Sequence, residues 1–125
     1  MRILVVDDDP DARLLARWAL EREEGWSVVT AADGSQAEEG LRQTVPDLVL
    51  LDYFLGDDDG LELLRRWRTD GLLDGVPVLL LSGKGAALAG AARAAGALGV
   101  LAKPFDPGEL AGRIRESLAA GERFI

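Results

Sequence analysis

Three aspartates that directly follow runs of apolar residues are the first sign of chemistry in this chain. Asp7 and Asp8 follow the run ILVV, and Asp52 follows the run LVLL. Such runs predict buried strands, and chemistry in a parallel sheet lies beyond the carboxyl ends of its strands. Carboxylates that meet there repel each other, and a hard cation such as Mg²⁺ relieves the repulsion. The acids therefore predict a divalent-metal site, and Asp52, leaving the central strand, is the candidate nucleophile for a phosphoryl group.

A hydroxyl group and an ammonium group follow two further apolar runs. Ser82 follows the run VLLL, and Lys103 follows the run GVLA. A lysine is a flexible point charge that can pair with a carboxylate and then with a phosphoryl group bound to it. A serine hydroxyl can donate a hydrogen bond to a phosphoryl oxygen. Asp52, Ser82 and Lys103 are therefore predicted to form the reactive group of the site.

Five short apolar runs recur at similar intervals and predict the strands that position these residues. Several runs are nearly continuous in valine, isoleucine and leucine, which is typical of parallel strands buried on both faces. The predicted strands are residues 2–6, 27–31, 48–51, 76–81 and 99–102.

Segments with helical spacing and capping residues separate the predicted strands. Asp9 and Pro10 begin the first helix, Ser35 caps a second with Glu38 at the capping-box position, and Asp59 caps a third. The second to fifth helices are predicted over residues 35–43, 60–68, 86–95 and 107–120. Because strand and helix alternate five times, the pattern predicts an α/β sheet with helices on both faces.

Length and composition narrow the classes of function. The chain has 125 residues, a size that suits one domain. It has no cysteine and no histidine, which excludes disulfides, zinc thiolate sites and histidine-based catalysis. A net charge of −8 argues against a DNA- or membrane-binding surface and favours cationic partners, including divalent metals. No run is long enough to span a bilayer and no signal peptide is recognised, so we expect a cytoplasmic protein.

Two other loops have simpler interpretations than the ligand sites they suggest. Asp57, Asp58 and Asp59 resemble half of a calcium loop, but Leu55 and Arg66 stand where the EF-hand pattern needs acids. Asp57 and Asp58 are therefore predicted to form a solvated turn. The segment SGKGAALAG lacks the spacing of both the dinucleotide motif and the P-loop, which argues against a nucleotide site.

Four motifs together resemble a known family over essentially the whole chain. They are ILVVDDDP, LVLLDYFLGDDDGLELL, VPVLLLSG and LAKPF, each at the exit of a predicted strand. In this order they resemble the receiver domain of two-component response regulators, of the chemotaxis-regulator type. The resemblance implies a doubly wound, five-stranded parallel sheet with the flavodoxin-like strand order 2-1-3-4-5 and five helices. It also implies that residues 1–125 form one receiver domain.

The resemblance assigns a role to each residue of the site. It implies that Asp52 is the phosphoacceptor and that Ser82 and Lys103 are the switch hydroxyl and lysine. It implies a Mg²⁺ site made by Asp7, Asp8, Asp52 and the backbone carbonyl of Phe54. The Lys103–Pro104 peptide is expected to be cis, an isomer that an X–Pro bond makes accessible.

The resemblance also implies a function and partners. The phosphoryl donor would be a histidine kinase or histidine phosphotransferase, and the domain would control an unknown output protein or domain. We expect no direct binding to nucleic acid or membrane, and no enzymatic activity beyond self-phosphorylation and autodephosphorylation. One alternative is an interaction module that does not depend on phosphorylation. Another is an aspartate-nucleophile phosphatase, which commonly has a second Asp where Phe54 stands.

Two features concern how such a domain would signal. Val100 stands where the family usually has Tyr or Phe, so we expect readout through the backbone of residues 82–92 instead of an aromatic ring. Leu14 and Trp18 lie off the predicted inward face of the first helix, where they are available to a partner.

Overall fold

A central sheet of five parallel strands organises the fold. The computed structural model describes residues 1–122, so the last three residues of the predicted domain lie outside the described part. The described residues form seven strands: β1 (Arg2–Val6), β2 (Ser27–Ala31), β3 (Leu48–Asp52), β4 (Phe54–Leu55), β5 (Asp58–Asp59), β6 (Val78–Ser82) and β7 (Gly99–Ala102). The sheet has the order β2-β1-β3-β6-β7 with every pair parallel. Because β4 and β5 pair separately, β6 and β7 are the fourth and fifth strands of this sheet. The predicted fold class and the strand order 2-1-3-4-5 are therefore confirmed.

Within residues 1–122, five α-helices cover the two faces of this sheet. They are α1 (Pro10–Glu21), α2 (Gly34–Gln43), α3 (Gly60–Thr69), α4 (Ala89–Ala94) and α5 (Pro107–Glu122). Buried side chains of α1 and α5 pack on one face, and those of α2, α3 and α4 pack on the other. Every residue of β3 and β6 is buried, as expected for central strands covered on both sides.

The predicted caps of two helices are confirmed, and the cap of α2 is not. The Asp9 side chain accepts a hydrogen bond from the Asp11 amide, and Asp59 caps α3 in the same way. At α2 the cap is Asp33, whose carboxylate accepts from the Gln36 amide at 2.8 Å. Ser35 therefore lies inside the helix, and the prediction that it caps α2 is wrong.

The actual partners of Glu38 explain why it does not form the predicted capping box. Its carboxylate accepts from the buried indole Nε1 of Trp67 at 3.0 Å and also pairs with Arg66. The Trp67 and Arg66 hydrogen bonds hold the pKa of Glu38 below its usual range, against an opposing effect of burial. The side chain thus joins α2 to α3.

Two other boundaries differ from prediction for local reasons. β6 begins at Val78, because Val76 donates its amide to Leu73 in a turn and Pro77 has no amide to donate. A 3₁₀ turn, Gly85–Leu88, replaces the start of the predicted fourth helix, and no side chain caps α4. The two-residue hairpin β4–β5 was not predicted; Gly56 allows its tight turn with a φ of +63°.

The three tryptophans occupy three different environments. Trp67 is fully buried, Trp18 is largely exposed with the Arg22 guanidinium over its ring, and Trp26 is partly buried beneath Arg115. Leu14 is also exposed, so the prediction that Leu14 and Trp18 avoid the core is confirmed.

In the part of the chain that the structure describes, no helix combines the length and hydropathy needed to cross a membrane.

Candidate functional site

Four neighbouring strands deliver the predicted residues to one edge of the sheet. Asp7 follows β1, Asp52 ends β3, Ser82 ends β6 and Lys103 follows β7. The Lys103 ammonium donates to Asp7 Oδ2 at 2.6 Å and to Asp52 Oδ2 at 3.0 Å. These two contacts join residues 51 and 96 positions apart in sequence. The Lys103–Pro104 peptide is cis, as expected.

Three carboxylates form a cluster suited to a hard cation. Asp7, Asp8 and Asp52 each offer one carboxylate oxygen, and these oxygens all lie within 4.8 Å of one another. Asp7 is 1% exposed and Asp52 6%, whereas Asp8 is open to solvent. Oxygen donors of this kind and number are what Mg²⁺ takes from a protein, so the residues present fit that ion.

The oxygens of Asp7 are already engaged by neighbouring groups. Oδ1 accepts from the Asp9 amide at 3.0 Å, Oδ2 accepts from Lys103, and the main-chain carbonyl accepts from Arg13 Nη1 at 2.8 Å. Asp7 thus fixes the turn from β1 into α1, and Asp8 presents the more accessible carboxylate. Arg13 was not predicted to take part; the only sequence clue is that a helical side chain extends back over the preceding turn.

Burial and charge together set the protonation of the site. Burial raises the pKa of Asp52 to about 6; the hydrogen bond from Lys103 opposes this rise, and the nearby Asp7 charge adds to it. For Lys103, burial lowers the pKa, but the hydrogen bonds to Asp7 and Asp52 outweigh it and the net direction is upward. At neutral pH the ammonium is therefore retained, and Asp52 is ionised but less firmly than an exposed aspartate.

Ser82 and Phe54 lie beside this ionic group. Ser82 is buried, and its Oγ accepts from the Lys84 amide at 3.0 Å, which leaves its hydroxyl proton for another partner. The Phe54 side chain is 59% exposed and lines a cavity of about 610 Å³ together with Asp8, Asp52 and Lys103. A molecule that enters this cavity from solvent can therefore contact both Asp52 and Phe54.

Gly60 brings the start of α3 into contact with the main chain at the end of β3, which carries Asp52. Its amide donates to the Tyr53 carbonyl at 2.8 Å. A Cβ at this position would lie 2.4 Å from the main-chain oxygen of Asp52 and 3.0 Å from Tyr53 Cα. Because both neighbours are backbone atoms, the start of α3 can approach the phosphoacceptor candidate this closely only if residue 60 is glycine.

The family model for the response regulator receiver domain matches residues 3–115. The chain belongs to the response regulator receiver domain family. The recognition made from the four motifs is confirmed, and with it the assignment to two-component signal transduction.

Relatives and solved structures agree with this membership. The receiver is 41% identical over 119 residues to the probable transcriptional regulatory protein TcrX of Mycobacterium tuberculosis, covering 93% of this chain and 49% of that protein. It is 39% identical to the DNA-binding response regulator MtrA of Mycolicibacterium smegmatis, covering 97% and 52%. The chemotaxis response regulator CheY4 of Vibrio cholerae superposes with a TM-score of 0.84 at 27% identity, covering 93% of this receiver and 97% of CheY4. A putative response regulator from Chloroflexus aurantiacus superposes with a TM-score of 0.82 at 34% identity, covering 94% and 97%.

These relatives correct one expectation about partners. The receiver spans about half the length of the curated relatives it matches, and several of them are described as DNA-binding. The expectation of no direct binding to nucleic acid is therefore wrong for proteins related to this one. It rested on a net charge of −8, which describes the surface of this chain alone and carries no information about the unmatched half of its relatives.

Proposed function

We propose that this receiver accepts a phosphoryl group on Asp52 from a histidine kinase or histidine phosphotransferase and changes conformation in response. The observation that supports this most strongly is the convergence of three carboxylates, Lys103 and Ser82 at one sheet edge. In the transfer, a carboxylate oxygen of Asp52 forms the new bond to phosphorus while the bond from phosphorus to the donor imidazole nitrogen breaks.

Each neighbouring side chain has a proposed part in that step. Lys103, already 3.0 Å from Asp52, pairs with the incoming phosphoryl oxygens, and the free hydroxyl proton of Ser82 donates to another. Asp7, Asp8, Asp52 and the Phe54 carbonyl would hold Mg²⁺. When bound, that ion supplies positive charge to the cluster and to the phosphoryl oxygens. In autodephosphorylation the oxygen of a water molecule would bond to phosphorus while the bond from phosphorus to the Asp52 carboxylate oxygen breaks, which releases inorganic phosphate and restores the carboxylate. No other substrate would be turned over.

The relatives support a proposal for the output, and the proposed phosphoryl donor supports one for the cellular location. Identity of 39–41% to regulators described as transcriptional or DNA-binding favours a transcriptional output. We place the receiver in the cytoplasm, where histidine kinases transfer phosphoryl groups, with residues 1–125 as one domain. The exposed stripe of Leu14 and Trp18 on α1 is available to a protein partner. A phosphorylation-independent module would not need the complete set of acids, hydroxyl and lysine, so the presence of all of them argues against this alternative.

Magnesium is expected to bind the acidic cluster and stabilise the fold. Titration with MgCl₂ should shift the amide resonances of Asp8 and Asp52. At about ten times the dissociation constant, it should raise the free energy of unfolding by about 1.4 kcal/mol. Asp8→Asn should weaken this binding at least about tenfold because it removes the exposed charge. Asp57→Asn, in the exposed β4–β5 turn, is the matched control and should have little effect. Absence of a response at millimolar Mg²⁺ would refute the metal assignment.

The conformational readout is expected in the segment after β6 and not at Val100. Val100 is partly buried against the core cluster that includes Ala92 of α4. It is β-branched and has little to gain from a new rotamer. The following segment contains the 3₁₀ turn and the short, uncapped α4. Structures with and without beryllofluoride should differ mainly over residues 82–92. A rotamer change at Val100 with that segment unmoved would contradict this expectation.

A further inference from the structure

The chain contains only two lysines among its 14 basic residues. Both lie within two residues of the end of a strand that leads to the site. Lys84 follows β6 and Lys103 follows the adjacent strand β7. Lys103 is bound to Asp7 and Asp52. Lys84 forms no ion pair within residues 1–122, and its ammonium lies 5.8 Å from the centre of the Phe54 ring. One lysine is thus committed to the acids, and the other is exposed beside them.

The charges of the site show what the second lysine could do. The charges of the three carboxylates would be balanced by Lys103 together with one bound divalent cation. Phosphorylation of Asp52 replaces a carboxylate that carries one negative charge by an acyl phosphate that carries about two. The phosphorylated site therefore has an excess negative charge that Lys103 and the metal leave uncompensated.

We propose that Lys84 supplies the additional cation of the phosphorylated state, and that Phe54 holds it ready beforehand. This rests on the proposed function of Asp52. The Lys84 amide is fixed to Ser82 Oγ, so its flexible side chain begins next to the hydroxyl that faces the phosphoryl group. Phe54 is two residues beyond Asp52 and lines the same cavity. Lys84 therefore lies beside a ring that borders the cavity in which a phosphoryl group on Asp52 would sit.

The direction of this movement follows from the strength of the two contacts. An exposed ammonium over an aromatic ring gains little, and the contact to Phe54 is near the outer limit of such interactions. A hydrogen bond from the ammonium to a phosphoryl oxygen is charge-assisted and stronger. Lys84 thus stays on Phe54 before phosphorylation and leaves it afterwards, which favours the phosphorylated state.

Beryllofluoride, which mimics the phosphoryl group on an aspartate, allows this to be tested without turnover. Its affinity for the wild-type chain, Lys84→Gln and Lys84→Arg is measured by calorimetry in saturating MgCl₂. Arg93→Gln, at an exposed cation of α4, is the control. Lys84→Gln should weaken beryllofluoride binding about fivefold, an effect that shrinks as salt is raised. Lys84→Arg should recover most of the loss, and Arg93→Gln should show none. The affinity for Mg²⁺ alone should change less than about twofold in all variants.

A second variant tests the part assigned to the ring. Phe54→Leu keeps the backbone carbonyl but removes the contact that competes for Lys84. It should tighten beryllofluoride binding by up to about threefold, and this gain should vanish when residue 84 is glutamine. Weaker binding by Phe54→Leu would overturn the holding role of the ring.

The outcomes separate this inference from the function on which it rests. If wild-type protein with Mg²⁺ binds no beryllofluoride, the proposed function fails and the inference fails with it. If wild type binds and Lys84→Gln binds equally well, the inference alone is overturned. Equal losses of Mg²⁺ and beryllofluoride affinity in Lys84→Gln would also overturn it, because they would indicate a general disturbance of the site.

Discussion

Replacement of Asp52 by asparagine is expected to abolish phosphorylation of this receiver. Acetyl phosphate and Mg²⁺ should add one phosphoryl group to the wild-type chain, seen as a mass increase that disappears at alkaline pH. The Asp52→Asn amide is not a nucleophile, so the increase should be lost completely. The fold should survive, because asparagine has the same shape and Lys103 retains its hydrogen bond to Asp7.

The acidic turn between β4 and β5 provides the control for this experiment. Asp57 is exposed and lies outside the cluster of Asp7, Asp8 and Asp52. Asp57→Asn should be labelled as well as wild type. The assignment of Asp52 would be wrong if Asp52→Asn were still labelled and Asp57→Asn were not, since that result would move the acceptor to the turn.

Replacement of Gly60 by alanine is expected to destabilise the protein by about 3 kcal/mol, which a urea titration would measure. The added Cβ would lie 2.4 Å from the main-chain oxygen of Asp52, where no flexible side chain can yield. Relief of this overlap must move α3 or the end of β3. Because β3 carries Asp52, labelling by acetyl phosphate should also slow in the folded variant.

Gly112 in α5 separates the steric effect from the general effect of a Gly→Ala change. Among the described residues, and apart from its chain neighbours and the backbone of its own helix, no atom lies within 4 Å of the position that a Cβ would occupy at Gly112. Gly112→Ala should therefore be neutral or stabilise by up to about 1 kcal/mol, through lower entropy of the unfolded chain. A similar loss of stability in both variants would show that the close approach of Gly60 to Asp52 is not responsible.

The site was predictable because its geometry follows from topology. Once parallel strands are recognised, their carboxyl ends must meet at one edge, so Asp7, Asp52, Ser82 and Lys103 come together without knowledge of any packing detail. The caps Asp9 and Asp59 were predictable because capping is local. The roles of these residues in phosphoryl transfer stay predictions until the experiments above are done.

Features that depend on distant contacts were not predictable in the same way. At α2 the sequence DGSQAEE offers two capping patterns, and the choice is tied to Glu38, which binds Trp67 almost thirty residues away. The contact of Arg13 with the Asp7 carbonyl and the approach of Lys84 to Phe54 have no periodic signal. The start of α4 was misplaced because alanine-rich sequence satisfies helix propensity, while the first turn formed there is a 3₁₀ turn.

The three tryptophan environments have a spectroscopic consequence. Trp18 is open to a collisional quencher, Trp67 is shielded from it, and Trp26 is intermediate, so the intrinsic fluorescence contains three components that quencher access can separate. None of the three indoles lines the cavity that contains Asp52. Emission that changes when a phosphoryl mimic binds would therefore report a rearrangement transmitted to α1, α3 or the loop before β2, and not a direct contact with the ligand.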